Sequence, residues 1–360
     1  MKRVLLLTDI DFWRRGAGHR MRILELVKYI ATYSQLSIIY IGAPHEINVE
    51  EFNREFNCNL IILTSNRINN ARKYGKLLEH FLRFNHFDVC IVEYIHLSFY
   101  LHYFPYPIIK ILDLHDIMTD RDESFRKFNY ETATYGLTKG QEYQLYKMYD
   151  YIMVLCKPDF YNLLAILPAE KLLLCPHPVA VSPRRIRPKA SCIGFVASEY
   201  LPNKDAIQHF CRECWPLVSP KYDVHLNIYG KVTSTLDEVT ETSYIHLKGW
   251  LNSIEEIYDE TDIIINPVRI GAGLKIKNIE ALAYGLPLIT TSHGARGLEK
   301  GRNEAFVTAD NCEDFSNSLI QLIQNFELRE KLGRKAHKFV LQEFSQGKCF
   351  KPLIRKINSN

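Results

Sequence analysis

Asn266-Pro267-Val268-Arg269-Ile270-Gly271-Ala272-Gly273-Leu274-Lys275-Ile276-Lys277-Asn278-Ile279-Glu280-Ala281-Leu282-Ala283-Tyr284-Gly285-Leu286-Pro287 reads as the turn from a strand into a helix. The apolar run Ile263 to Asn266 has the length of a buried strand, and Lys275 to Tyr284 carries a helical pattern. Gly271 and Gly273 between them permit close approach of a backbone to a ligand. Lys275 and Lys277 fall in the first helical turn, where cations oppose the helix dipole, so an anionic ligand is the reason expected for them. Glu280 follows Lys277 by three residues on the same face, suited to a sugar hydroxyl while lysine and backbone amides take phosphate. The competing reading is an exposed ion pair beside a glycine-rich turn.

The same rhythm extends in both directions. Before this segment lie Ile193 to Ala197, Val224 to Tyr229 and Ile245 to Leu247, and after it Leu288 to Thr291 and Phe306 to Thr308. Helical stretches at Ala206 to Cys214, Asp314 to Phe326 and Leu328 to Phe344 separate them. The first half repeats the alternation with strands at Val4 to Leu7, Leu36 to Ile41, Leu60 to Leu63, Val89 to Val92, Ile108 to Leu112, Tyr151 to Leu155 and Leu172 to Leu174. Its clearest helix runs from His19 to Tyr33, with Ile23, Leu24, Leu26, Val27 and Ile30 on one face. The alternation predicts two α/β domains with parallel sheets in tandem, each with a ligand crevice at the carboxyl ends of its strands. The expected division is 1–182, a basic Pro-containing linker at 183–190, a second domain at 191–344, and a tail at 345–360 placed to cross back to the first domain.

Composition agrees with this class. The chain has 360 residues, 47% hydrophobic and 24% charged, more than one core ordinarily holds. Its net charge of +4 is too small to argue for nucleic acid, and the excess sits in residues 151–190, among them Arg184, Arg185, Arg187 and Lys189. Nine cysteines without regular spacing, with Cys211 and Cys214 as an isolated CxxC, predict nine reduced thiols and no zinc site. Val4 to Leu7 is too short an apolar run for a signal peptide, and no 18-residue apolar stretch follows, so the expectation is a cytoplasmic protein, with peripheral contact on the inner face of the membrane as an option.

The first strand leads through Asp9, Asp11, Arg14, Arg15, Gly16, Ala17 and Gly18 into the helix near His19 and Arg20. This is half of a dinucleotide fingerprint: Met21 stands where a third glycine belongs, and Tyr40-Ile41-Gly42 supplies no acid for a ribose. No GxxxxGK[ST] run exists. Asp9 with Asp11, and Asp120 with Asp122, read as caps of free amides rather than as a metal pair. The strand Ile108 to Leu112 delivers Asp113, His115 and Asp116 to the crevice, either as catalytic groups or as a capped turn.

Together these residues resemble glycosyltransferase family 4, retaining enzymes of the GT-B fold, in which two Rossmann-like domains face each other across a cleft. The resemblance is carried by Gly16-Ala17-Gly18-His19-Arg20, by Asp113-Leu114-His115-Asp116, by Tyr200-Leu201-Pro202-Asn203-Lys204-Asp205, and above all by Gly271 to Pro287 with Thr290-Thr291 and Gly294-Ala295-Arg296-Gly297-Leu298. Many members carry two glutamates separated by seven residues. Glu280 matches the second, whereas position 272 is alanine, as in the Gly-x-Gly subgroup. The resemblance implies a nucleotide diphosphate sugar as donor, with Gly249, Trp250 and Leu251 at the base, Arg269, Lys275 and Lys277 at the diphosphate, and Glu280 at the ribose. Gly16, Gly18, Gly271, Gly273 and Leu274 complete the implied donor site, and His115 with Asp116 the catalytic pair. It further implies attack from the face the diphosphate leaves, the leaving phosphate accepting the acceptor's proton, in a hexosyl- or related glycosyltransferase without metal or cofactor. Rival expectations are a nucleotide-sugar epimerase and a non-catalytic carbohydrate-binding assembly protein of the same fold.

For the acceptor, a glycan or lipid-linked glycan, the expected contacts are Asp11, His19, Arg20 and Tyr94. Phe99, Tyr100, Tyr103, Phe104 and Tyr106, then Phe125, Phe128, Tyr130 and Tyr135 among Arg121, Arg126 and Lys127, form a basic-aromatic composition that suits sugar stacking or anionic lipid.

Overall fold

The computed structural model describes residues 1–14, 16–43, 47–63, 71–131, 136–219, 221–237, 239–251 and 253–359. Arg15 and Tyr135, named above, lie outside the described residues. Strands β1 (Arg3–Thr8), β2 (Gln35–Ile41), β3 (Asn59–Leu63), β4 (Val89–Glu93), β5 (Ile109–Leu114), β6 (Tyr151–Val154) and β7 (Leu172–Leu174) form one sheet in the order β3-β2-β1-β4-β5-β6-β7. A second sheet takes β8 (Cys192–Val196), β9 (His225–Tyr229), β10 (Ile245–Gly249), β11 (Ile263–Asn266), β12 (Leu288–Thr290) and β13 (Val307–Thr308) in the order β10-β9-β8-β11-β12-β13. Every pairing between these strands is parallel.

Burial on both faces explains why the strands read as unbroken apolar runs. In the first sheet Leu5, Leu7, Cys90, Val92, Leu112 and Val154 enter one core, while Val4, Leu6, Val89, Ile91, Ile111 and Met153 enter the core on the opposite face. In the second, Ile193, Phe195, Leu226, Ile228, Ile263 and Ile265 face one core, and Ile264 and Leu288 face another shared with Ile279, Leu282, Ala336 and Val340. Strand order reverses between β1 and β4 and again between β8 and β11, so each sheet opens a crevice at those carboxyl ends.

Several boundaries depart from the sequence expectation for local reasons. The helix expected from Ala206 starts at Leu201, because Pro202 fits the first turn, and its last turn, Phe210–Cys214, is π-helical. Asn311 and Asn325 accept from the amides of Asp314 and Leu328, so the two helices that follow start at Cys312 and Phe326. The expectation of nine free thiols is overturned: Cys214 and Cys312, 98 residues apart, are joined as a disulfide. Folding brings the π-helical turn against the start of the helix Cys312–Gln324, a proximity that spacing along the chain does not encode.

Residues 178–191 form no helix or strand, and their cations serve the second domain. Arg184 pairs with Asp259 at 3.0 Å, Arg187 with Asp262 at 2.6 Å and Lys189 with Asp223 at 2.6 Å. Buried Arg329 donates to the carbonyls of Arg187 and Pro188. The helix Gln346–Ser359 returns to the first sheet, burying Phe350, Leu353 and Ile357 in the core that holds Val4, Leu24 and Met153. No described helix is long and apolar enough to cross a membrane.

Candidate active site

The glycine turn after β11 has the backbone that its sequence requires. Gly271 (φ +108°) and Gly273 (φ +68°) lie in the left-handed region, and a Cβ on Gly273 would sit 2.8 Å from the carbonyl oxygen of His115 in the other domain. Lys275 immediately precedes the helix Ile276–Ala283, and its Nζ folds back onto the carbonyls of Ala272 (2.9 Å) and Gly273 (3.1 Å). Lys277 donates to Asn203 Oδ1 at 2.7 Å and lies over the Phe195 ring. Neither lysine has a carboxylate within ion-pair distance among the described residues. Burial lowers the pKa of Lys275 to about 8 and of Lys277 to about 7, and raises that of Glu280 to about 7 against the pull of Lys277. Arg269 is committed elsewhere: it forks onto Asp205 (Nη2 to Oδ1 2.9 Å, Nε to Oδ2 3.2 Å) and lies over Phe128.

The first-domain half is built on the ends of β4 and β5. His115 Nε2 lies 2.8 Å from Glu93 Oε2, and its ring stacks on Tyr94 with centroids 4.0 Å apart at 14°. Asp113 is fully buried and takes both arms of Arg22, at 3.0 and 3.1 Å, while Arg22 also donates to the Pro176 carbonyl. Burial pushes His115 down to about 4, although Asp113 pulls the other way. Asp116 pairs with Arg121 at 3.1 Å, and burial raises its pKa. Asp11 pairs with Arg20 at 2.6 Å, Asp9 lies 2.8 Å from His96, and burial with the neighbouring His115 lowers His19 to about 4. The aspartates at the end of β1 thus face side-chain partners rather than only the amides expected for them.

Contacts from both sides close the cleft. Trp250, at the end of β10, lies against Gly16 (φ +79°), where any Cβ would overlap the indole, and Gly18 faces Ile276. Gly271 N–H donates to Ser124 Oγ at 3.0 Å, Tyr130 donates to Asp205 Oδ1 at 2.9 Å, and Arg296 pairs with Asp159. Leu274 packs with Leu155 and Cys156. Gly16, Gly18, Trp250, Gly271, Gly273, Leu274, Lys275, His115 and Asp116 therefore share one cleft, with Glu280 one turn below Lys277; Leu251 follows Trp250 at its rim. Of the aromatic run, Tyr100 and Phe125 are buried, Tyr106 bridges Phe87 N–H and the Asn85 carbonyl, and Phe128 and Tyr130 serve the closed cleft. Phe99 remains exposed.

The sequence reading did not single out Arg22, Glu93, Asn203 or Asp205 as site residues. A lone acid closing the apolar run of β4 was the one signal available for Glu93. Among the described residues, two groups have metal-ligand atoms close together: Glu93, Asp113 and His115, and His209, Cys214 and Cys312. In the first, Arg22 already occupies both oxygens of Asp113 and supplies the positive charge; in the second, the two sulfurs are joined.

Over its whole length the chain superposes on HepE of Anabaena in complex with UDP and glucose, with a TM-score of 0.76 at 10% identity, covering 100% of both chains. TarM gives 0.77 at 11% identity, covering 99% of each, and sucrose-phosphate synthase from Thermosynechococcus elongatus gives 0.77 at 10%, covering 100% of this chain and 98% of that one. The fold is GT-B. Within the GT-B pair of domains, residues 190–325, the stretch that carries the lysines and Glu280, match the family model described as glycosyl transferases group 1. The chain is also 24% identical over 173 residues to an uncharacterized 44.6 kDa protein in the cps region of Klebsiella pneumoniae, 45% of each chain. It is 25% identical over 146 residues to spore coat protein SA of Bacillus subtilis, 38% of each chain. These matches span less than half the length of those curated relatives.

Proposed function

We propose that the chain is a retaining glycosyltransferase of family 4 that transfers a sugar from a nucleotide diphosphate sugar to a hydroxyl of a glycan or lipid-linked glycan. The observation that carries this is the pair Lys275 and Lys277. Among the described residues, two partly buried ammonium groups at a helix N-terminus in the interdomain cleft hydrogen-bond only to carbonyl and amide oxygens, with pKa values lowered by burial. A diphosphate supplies the charge they lack, and it gains most there as a leaving group, because fixed cations and helix amides stabilise developing negative charge without reorganising. Glu280 takes the ribose, the backbone from Gly249 to Leu251 the base, and His115 the donor sugar from the opposite wall. Attack comes from the face that the diphosphate vacates. UDP and glucose in HepE support the donor class, and the cps-region relative supports a role in cell-surface polysaccharide or glycoconjugate synthesis. The working site is the cytoplasmic side of the membrane, with peripheral contact.

With the diphosphate charge met by lysines, turnover needs no divalent metal. A thermal-shift screen of UDP, GDP and ADP and their sugars identifies the donor, since a ligand that binds only the folded state raises its stability. Mass spectrometry with the matching sugar then reads transfer to an acceptor glycan at an unchanged rate in EDTA. Loss of turnover restored by Mg²⁺ or Mn²⁺ overturns the metal-free reading. Epimerised donor without transfer indicates an epimerase, and donor binding without any turnover a carbohydrate-binding assembly protein.

A further inference from the structure

Glu93 and Asp113 are register partners on the adjacent parallel strands β4 and β5, both fully buried, so two carboxyl groups stand side by side on one face of the sheet. Arg22 gives both of its carboxylate bonds, 3.0 and 3.1 Å, to Asp113, whose Oδ2 also lies 3.8 Å from His115 Nε2, and its charge reaches Glu93 without a bond. Glu93 has one oxygen on His115 Nε2 at 2.8 Å, while its other oxygen, Oε1, is buried without a partner among the described residues. An ionised carboxylate left in that setting is costly, whereas one additional proton on the Glu93–His115 pair brings the four-residue cluster to zero net charge. If that proton lies between Oε2 and Nε2, the other ring nitrogen must carry a hydrogen in either limiting form, neutral acid with imidazole or carboxylate with imidazolium. Nδ1 has no partner among the described residues and is not among the buried unpartnered atoms, so it is the nitrogen left to the cleft. Tyr94 clamps the ring from a backbone at φ +66°, a conformation that a bulky residue adopts only when its surroundings enforce it.

We propose that Glu93 is a positioning residue for the transfer reaction: by holding one proton against His115 Nε2, it makes Nδ1 an N–H donor aimed at an oxygen of the donor sugar. The proposal rests on the glycosyltransferase reading for its function but not for its chemistry. The other titratable or charged groups that act on the pair are Tyr94, Asp9, His96, His19, His177 and Asp116, besides Asp113 and Arg22. Burial raises Glu93 well above the usual carboxylate range and lowers His115 to about 4, so each resists standing charged alone.

The test compares the full chain with Glu93→Gln and Glu93→Ala. The Gln amide donates to Nε2 as the protonated acid does, but it cannot titrate; Ala offers nothing. Nitrogen NMR of the imidazoles, with the His115 signals assigned by their loss in His115→Asn, reads the tautomer without any substrate. A protonated Nδ1 is expected at pH 7 in the wild type and in Glu93→Gln, and its loss in Glu93→Ala. In transfer assays, Glu93→Ala is expected to lower kcat at least tenfold with donor KM unchanged within twofold. Glu93→Gln should keep kcat within threefold at pH 7 and lose the alkaline limb that the wild type shows as the shared proton leaves. The proposal is overturned if Glu93→Ala keeps the Nδ1 proton, or if Glu93→Gln loses it. A wild type without transferase activity but with this tautomer pattern would sink the functional reading and leave the Glu93–His115 pairing standing. Should Glu93→Ala fail to fold, the tautomer and the alkaline limb in Glu93→Gln decide alone.

Discussion

Lys277 donates to a neutral acceptor, Asn203, and burial lowers its pKa to about 7, so its charge is partly lost in the free protein as pH rises through that region. A diphosphate placed beside it favours the ammonium and raises that pKa, so binding takes up protons wherever the free lysine is partly neutral. The sign follows: nucleotide affinity falls as pH rises through 7 to 8, and proton uptake per ligand rises over the same interval. Lys275, near 8, extends the window upward. Calorimetry with the bare nucleoside diphosphate at pH 8, in buffers of different ionisation enthalpy, should give a net uptake that Lys277→Ala reduces. Glu280, near 7, titrates in the same window, so the Lys277→Ala comparison isolates the lysine's share. An uptake that Lys277→Ala leaves unchanged would remove the diphosphate from Lys277. These residues were legible because glycines and two lysines at a helix start form a local pattern. Arg22 and Glu93 were not, since nothing beside them in the chain distinguishes a buried arginine from one on a helix surface, or a strand-closing glutamate from a solvated one.

The elements were readable wherever one local signal set them. Continuous apolar runs identified the strands to within a residue or two, because both faces of each sheet are buried. Helix starts slipped where a side-chain cap or a proline decided the boundary, at Leu201, Cys312 and Phe326. Charge located the linker but not its partners: the cations among prolines at 184–189 pair with Asp259, Asp262 and Asp223 of the second domain. The helix Gln346–Ser359 is held through Phe350, whose ring meets Tyr29 at 5.2 Å and lies beneath the Arg22 guanidinium at 4.8 Å. Phe350→Ala should therefore destabilise the protein by about 3–5 kcal/mol, the cost of a large buried ring. The exposed neighbour Lys351→Ala should change stability by less than about 0.5 kcal/mol. Denaturant titration of both variants measures the difference, and equal midpoints would show that this helix contributes little to the first domain.

At the scale of the molecule, the proposed reaction divides the work between the two sheets. Glu280→Ala or Lys277→Ala should weaken binding of the bare nucleoside diphosphate by roughly 1–3 kcal/mol, the usual cost of losing a hydrogen bond to a charged group. His115→Ala should leave that binding nearly intact and lower turnover, because a contact strengthened in the transition state appears in kcat. Calorimetry with the nucleotide and initial rates with the full donor read the two effects. If His115→Ala lost nucleotide affinity as severely as Glu280→Ala, or kept full turnover, His115 would not face the donor sugar. Trp250 gives this arrangement a practical side. Its indole belongs to one domain and lies on Gly16 of the other, half exposed, while Trp13 is mostly covered and Trp215 lies in a core. Any opening of the cleft moves this one indole from protein into water, so the protein carries an intrinsic fluorescence gauge of its own closure, at the place where the base of the nucleotide is expected to arrive.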